Sequence, residues 1–198
     1  MESIRMGMAV FLVLVLPIVA VFWLIIHGFA PFWKTQAPRN AYFAAFAGIL
    51  VVLLIAAPNV RALIGADLGF HIALFLAGAV IYVASIIPYR AIHRELDFRT
   101  FSGLAEITDT QNALIDTGPF AVVRHPRYLA VLIGVVGWAL ATNYAGAYIV
   151  SLLFTFVLIV ITKMEERELL KRYGGAYEDY RRRVPMLIPR LPSREARQ

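Results

Sequence analysis

"YLAVLIGVVGWALATNYAGAYIVSLLFTFVLIVIT", residues 128–162, runs for 35 residues without one charged side chain. Crossing a bilayer takes roughly 20 mostly apolar residues. The run is therefore too long for one span and just enough for two short ones folded back on each other. Thr142-Asn143-Tyr144-Ala145-Gly146 supplies the turn, because Asn and Gly punctuate an otherwise apolar sequence there. Working outward, the uncharged stretches 6–33, 40–60 and 68–89 each provide one further span. The expected fold is all-α: a polytopic integral membrane protein with about five transmembrane helices, a C-terminal helical hairpin and a polar tail.

Composition agrees with this reading. Of 198 residues, 60% are hydrophobic and 16% charged, against about half and about a quarter in soluble domains. The chain has no cysteine, which excludes disulfides, zinc-thiolate sites, iron–sulfur clusters and thiol nucleophiles. A metal site is not expected. The net charge of +6 does not point to nucleic acid, because the basic residues sit at the ends of apolar runs. With the hairpin tip outside, seventeen of the 19 lysines and arginines fall inside and only Arg5 and Arg61 outside. The positive-inside rule then gives an N-out, C-in topology, in the cytoplasmic membrane of a cell. Arg5 precedes an apolar core that runs on to Ile26 with no small-x-small site after it. A cleaved signal peptide has a core of about 7–15 residues, so a retained first helix is expected.

The chain divides into three spans (1–89), a loop (90–127), the hairpin (128–162) and an amphipathic tail (163–198). The first part of the loop, "RAIHRELDFRTF", reads as a continuation of the third helix. Its second part, "SGLAEITDTQNALIDTGPF", reads as ordered turns. In the tail, Gly174-Gly175 breaks a helix that carries Leu169, Leu170 and Tyr173, and Tyr177 and Tyr180 recur three apart.

Polar chemistry gathers at two places. In "GPFAVVRHPRYL", residues 118–129, the residue before proline is pushed out of the helical region, so His125 is expected to be extended. Pro126 then suits the first position of a helix. The start of that helix aims free N–H groups and a positive dipole end at the interface, where a carboxylate could bind. The plain alternative makes Arg124 and Arg127 interfacial anchors. The hairpin brings Glu165 and Glu166 back to the same side, near His125 and Tyr128. Carboxylates so close to lipid are costly, and acid paired with base suits a zwitterionic ligand. Glu168 is adequately explained by pairing with Lys171 or Arg172 along the helix. His27, His71 and His93 read as interfacial or structural, and Tyr173, Tyr177 and Tyr180 as packing residues that could help cover a pocket.

Taken together, Gly-Pro, Arg-His-Pro-x-Tyr, an apolar hairpin, Glu-Glu, Tyr-Gly, Tyr-x-x-Tyr and Val-Pro resemble the C-terminal half of the isoprenylcysteine carboxyl methyltransferase family. The related membrane phospholipid methyltransferases share the theme. The resemblance covers about 117–189. It implies an S-adenosylmethionine-dependent methyltransferase acting on a lipophilic or membrane-associated carboxylate, amine or thiol. It further implies that Gly118, Phe120, Val122, Arg124, His125, Tyr128, Glu165 and Glu166 bind the cofactor, with His125 as the catalytic base for an amine or thiol. Eukaryotic carboxyl methyltransferases carry an arginine about one turn before the acidic pair. That position here is about Ile161, which argues against a prenylcysteine carboxylate. Two alternatives stay open: a sterol-type reductase with a nicotinamide cofactor, and a non-catalytic protein whose basic tail contacts anionic lipid.

Overall fold

The computed structural model of the chain describes residues 1–95, 104, 108 and 113–190, with side chains up to residue 92 in the first of these segments. The described helices are α1 (Glu2–Gly28), α2 (Ala30–Trp33), α3 (Pro38–Ala56), α4 (Val60–Ile64), α5 (Ile72–Glu95), α6 (Pro126–Thr142), α7 (Ala145–Tyr173) and α8 (Gly175–Arg183). A 3-10 turn at Gly118–Ala121 precedes α6. Four helices, α1, α3, α5 and α7, are long and apolar enough to cross a membrane; α6 is the shorter apolar partner of the hairpin, at 17 residues. The protein is a polytopic membrane protein. Its lipid-facing surface is greasy, with Phe43, Phe46, Leu54 and Ile87 each about two-thirds exposed or more.

The hairpin forms as expected. Asn143 adopts the left-handed conformation (φ 53°, ψ 47°) and its N–H donates to Ala139 O at 2.9 Å, closing α6. Hydroxyls inside α7 are satisfied within the helix: Ser151 donates to Ala147 O and Thr162 to Leu158 O. A spanning helix needs that economy, because hydrocarbon offers no other partners. The third helix continues beyond the apolar run to Glu95. Apart from 104 and 108, the part of the 90–127 loop from 102 to 112 lies outside the described residues, as does the side chain of His93.

α5 packs most extensively on α6, and α1 lies along α7 and α3. Small residues make the first of these contacts possible. A Cβ added at Gly137 would sit 2.6 Å from Gly78 O and from Tyr82 N, and one at Gly78 only 2.4 Å from Gly137 O. Both obstacles are backbone, so the helices would have to separate. Gly137→Val is expected to cost about 1–3 kcal/mol, the usual range for overpacking, read as a lowered melting temperature in detergent.

At the hairpin-tip end sits Arg5, which the sequence placed on the outer side without assigning it a partner, and it is 2% exposed. Its guanidinium pairs with Asp67, its Nε donates to Thr142 O at 2.9 Å, and it lies over the rings of Tyr144 and Phe70. Leu68 N and Ala145 N exchange backbone bonds with Asn143 O and Ala66 O, tying the α4–α5 connection to the hairpin turn. A cation this close to lipid is tolerable only when paired. Burial pushes the Asp67 carboxyl up, but hydrogen bonds from Arg5 and Gly69 N–H outweigh it and hold it below the usual carboxylate range. Because the folded state favours the ionised form, this latch is fully present above about pH 4 and weakens only as pH falls below that. Asp67→Asn is expected to cost about 1–3 kcal/mol at neutral pH by leaving Arg5 without its counter-ion, measurable as a drop in melting temperature.

Candidate functional site

The opposite end of the bundle collects the remaining buried charge. Pro126 occupies the first turn of α6, and His125 before it has φ −123° and ψ 63°, outside the helical region though short of full extension. The tail returns to cover this entry: Arg124 N donates to Pro185 O at 2.8 Å and His125 N to Met186 O at 3.1 Å. α7 remains helical past the apolar run as far as Tyr173, so Glu165, Glu166 and Glu168 project from a continuous helix. Gly174, with φ 57°, then turns the chain into α8.

His125 is 4% exposed and lies between the two acidic side chains. Its Nδ1 is 3.7 Å from Glu165 Oε2 and its Nε2 is 3.3 Å from Glu166 Oε1. The two carboxylates differ in what else they meet. Glu166 is gripped by Arg124, whose Nε and Nη2 approach Oε1 at 2.7 and 2.6 Å. The same guanidinium donates to the carbonyls of Arg181 and Val184, so it fastens α8 to the site. The Glu165 side chain is 16% exposed, and its Oε2 has no hydrogen-bond partner among the described residues. Tyr128, 3% exposed, stacks on His125 with ring centroids 5.7 Å apart and an interplanar angle of 13°.

Tyr177 and Tyr180 complete the cover and are the packing residues expected. Tyr180 donates to Phe120 O at 2.7 Å, and its ring meets Tyr177 edge to face. Burial pushes the Tyr180 phenol up to about 12 and Tyr177 higher still. The Tyr177 hydroxyl is buried with no hydrogen-bond partner among the described residues, within electrostatic reach of Glu166, Arg124 and Glu165. Gly118 (φ 55°) and Phe120 belong to the 3-10 turn, and Val122, directly after it, is 55% exposed.

Two sequence readings are overturned here. Glu168 faces α1, not the next turn of its own helix: its Oε2 lies 3.3 Å from His27 Nδ1. Arg127 is more than an interfacial anchor. Its guanidinium lies 4.7 Å from the centroid of Trp23 and 5.0 Å from that of Tyr128, and its Nη2 donates to the Tyr128 hydroxyl at 3.2 Å. His27 is fully buried and stacks on Trp23. Sequence reasoning missed this contribution of α1. The signal was a histidine at the end of an apolar run, where burial demands a partner. Ile161 is fully buried, so no arginine takes the position occupied in the eukaryotic carboxyl methyltransferases.

Beyond the charged cluster, an apolar cavity of about 280 Å³ opens between α1, α5 and α6. Its lining follows α6 from Trp138 to Ala130, two residues short of Tyr128, and includes Tyr82, Ser85 and Tyr89.

The sequence pattern of the phospholipid methyltransferase family matches residues 72–176, just over half of the chain. Among curated proteins, the chain is 43% identical over 75 residues to methanethiol S-methyltransferase 2 of Bradyrhizobium diazoefficiens, covering 38% of this chain and 28% of that one. It is 35% identical over 94 residues to the protein-S-isoprenylcysteine O-methyltransferase of Schizosaccharomyces pombe (45% and 38%). It is also 36% identical over 90 residues to the Delta(14)-sterol reductase TM7SF2 of Mus musculus (44% and 22%). The matches span about a fifth to two fifths of the length of these relatives. No solved structure matches the chain. Since the family pattern runs through α5, the hairpin and the acidic pair, the chain belongs to the phospholipid methyltransferase family.

Proposed function

We propose that this protein is an S-adenosylmethionine-dependent methyltransferase whose acceptor is lipophilic or membrane-associated. The observation that carries the reading is the buried mixed-charge cluster of Arg124, His125, Tyr128, Glu165 and Glu166, within which Glu165 Oε2 makes no hydrogen bond among the described residues. A buried carboxylate oxygen without a hydrogen bond is costly. A ligand ammonium would relieve that cost, and the amino-acid part of the cofactor carries one. The residues present therefore fit the cofactor: Glu165 and Tyr177 offer unused polar groups, and Gly118, Phe120 and Val122 supply adjacent backbone.

When bound, S-adenosylmethionine supplies a methyl group on a sulfonium, and its transfer is an in-line displacement. The protein's part is then to hold and orient, which can contribute several powers of ten without a nucleophilic side chain. Arg124 holds Glu166 and the tail, shutting water out of the pocket. His125, with Nδ1 turned toward Glu165, is placed to take the proton that an amine or thiol loses on methylation; a carboxylate would need no such base. The apolar cavity beside Ala130 gives a greasy acceptor a route from the bilayer. The basic residues put the site on the cytoplasmic side, in an N-out, C-in topology.

The sterol reductase relative favours a second reading, in which the same end of the bundle binds a nicotinamide cofactor. Membranes containing the protein, incubated with methyl-labelled donor and then extracted for lipids and small volatiles, separate the two. The methyltransferase reading expects label in one acceptor fraction with the native chain and at least about tenfold less with His125→Ala, since general-base catalysis contributes 10²–10⁴-fold. Equal labelling by both proteins would contradict the site, and no labelling above control membranes would contradict the activity.

A further inference from the structure

Among the polar atoms buried without a hydrogen bond to the described residues are Glu165 Oε2 on α7 and the Tyr177 hydroxyl on α8. The two groups feel each other's field, yet no hydrogen bond joins them. Their chemistry is complementary. An ionised carboxylate can only accept, whereas a phenol has a proton to donate. Burial, and after it the charge of Glu166, pushes the Tyr177 phenol up, so the proton stays in place at neutral pH. The ring does not need the hydroxyl to stay where it is. It is 1% exposed, meets Tyr180 edge to face and packs in a cluster with Leu169 and Leu170 of α7. Buried polar groups are nearly always bonded, so an acceptor and a donor left over at one site call for a ligand carrying both complements. An α-amino acid group does so, with an ammonium and a carboxylate on one carbon.

We infer that the Tyr177 hydroxyl donates to the carboxylate of the cofactor's amino-acid group while Glu165 takes its ammonium, so that the bound ligand ties α8 to α7. The inference rests on the methyltransferase reading and extends it. Tyr177 lies one residue beyond the family pattern, which ends at 176. Without ligand, α8 is held to the 3-10 turn and the start of α6 by Tyr180 on Phe120 O and by Arg124 on the carbonyls of Arg181 and Val184. Its link to α7 runs through Gly174, with φ 57°, and Gly175, and a Cβ added at either would meet nothing within 4 Å. That link has room to move, and a ligand gripped from both helices would restrain it.

The test titrates purified full-length protein with two ligands. S-adenosylhomocysteine carries the amino-acid group, and 5′-methylthioadenosine shares the adenosine and thioether but lacks it. Tyr177→Phe is expected to weaken S-adenosylhomocysteine binding about tenfold, the lower range for a hydrogen bond to a charged group. Methylthioadenosine affinity should change by less than about twofold, the size of an indirect effect. The melting temperature of the empty protein should not fall, since the hydroxyl has no bond to lose. In limited proteolysis, saturating S-adenosylhomocysteine should slow cleavage at Gly174-Gly175 in the native chain and much less in Tyr177→Phe. Unchanged affinity for S-adenosylhomocysteine, or a parallel loss of both ligands, would overturn the role of Tyr177. A lower melting temperature for Tyr177→Phe would make the hydroxyl a structural group and overturn it as well. A native chain cut equally fast with and without S-adenosylhomocysteine would overturn the tie between α7 and α8. Native protein that binds neither ligand would overturn the cofactor reading itself, and this inference with it.

Discussion

Glu165→Gln is expected to lower affinity for S-adenosylhomocysteine roughly a hundredfold, the upper range for loss of a bond to a charged group, without lowering the melting temperature. The two halves of the expectation come from the same fact. Glu165 Oε2 makes no hydrogen bond among the described residues, so the amide takes no such bond away from the fold. Glutamine is an isostere, so packing is kept, and the charge contact given up within the described residues is the 3.7 Å one to His125 Nδ1. Only a ligand that brings its own positive group loses by the exchange. Calorimetric titration and a melting curve on the same preparation check both halves. A variant that binds normally would move the site away from Glu165, and one that also melts much earlier would make Glu165 a structural residue.

Arg124→Ala should behave in the opposite way. Arg124 and Glu166 are both largely buried, with side chains 8% and 13% exposed. Removing the cation leaves Glu166 with His125 alone at 3.3 Å and releases the carbonyls of Arg181 and Val184. Breaking a buried pair from one side costs about 3–5 kcal/mol. The loss should be concentrated in the tail, where both released carbonyls lie; α8 then keeps Tyr180 to Phe120 O, the Arg183–Asp116 pair, the packing of Tyr177 and Tyr180, and the backbone bonds of Pro185 and Met186. Limited proteolysis should therefore cut Arg124→Ala between α7 and α8, near Gly174, before the helical bundle is touched. Ligand affinity should fall with it. Proteolysis identical to that of the native chain would mean that the tail is held by other contacts.

Much of the fold was legible because its signals are local. The 35 uncharged residues demanded a hairpin, and Asn143 marked the turn that α6 and α7 use. Pro126 marked the start of α6, Gly174 the break in the tail, and the returning helix brought Glu165 and Glu166 beside His125. What escaped the sequence is the pairing of elements far apart in the chain. Nothing near Glu168 says that His27 will lie beside it, because that contact depends on α1 packing along α7. Glu168 was therefore assigned a partner on its own helix, where the spacing was right and the direction wrong. Arg127 was read as an interfacial anchor for a similar reason, and Arg5 only as a charge on the outer side. A basic residue at the end of an apolar run looks like an anchor, yet Arg5 closes on Asp67 and Arg127 on Trp23. The short helices α2 and α4 were invisible because they interrupt connections too brief to carry a period.

Binding of the cofactor product tests the central claim most directly. Purified protein is titrated by calorimetry with S-adenosylhomocysteine and, separately, with NADPH. A site built from Glu165, His125 and Tyr128 predicts saturable binding of S-adenosylhomocysteine that Glu165→Gln weakens about a hundredfold, and no heat from NADPH. Binding of NADPH alone would contradict it.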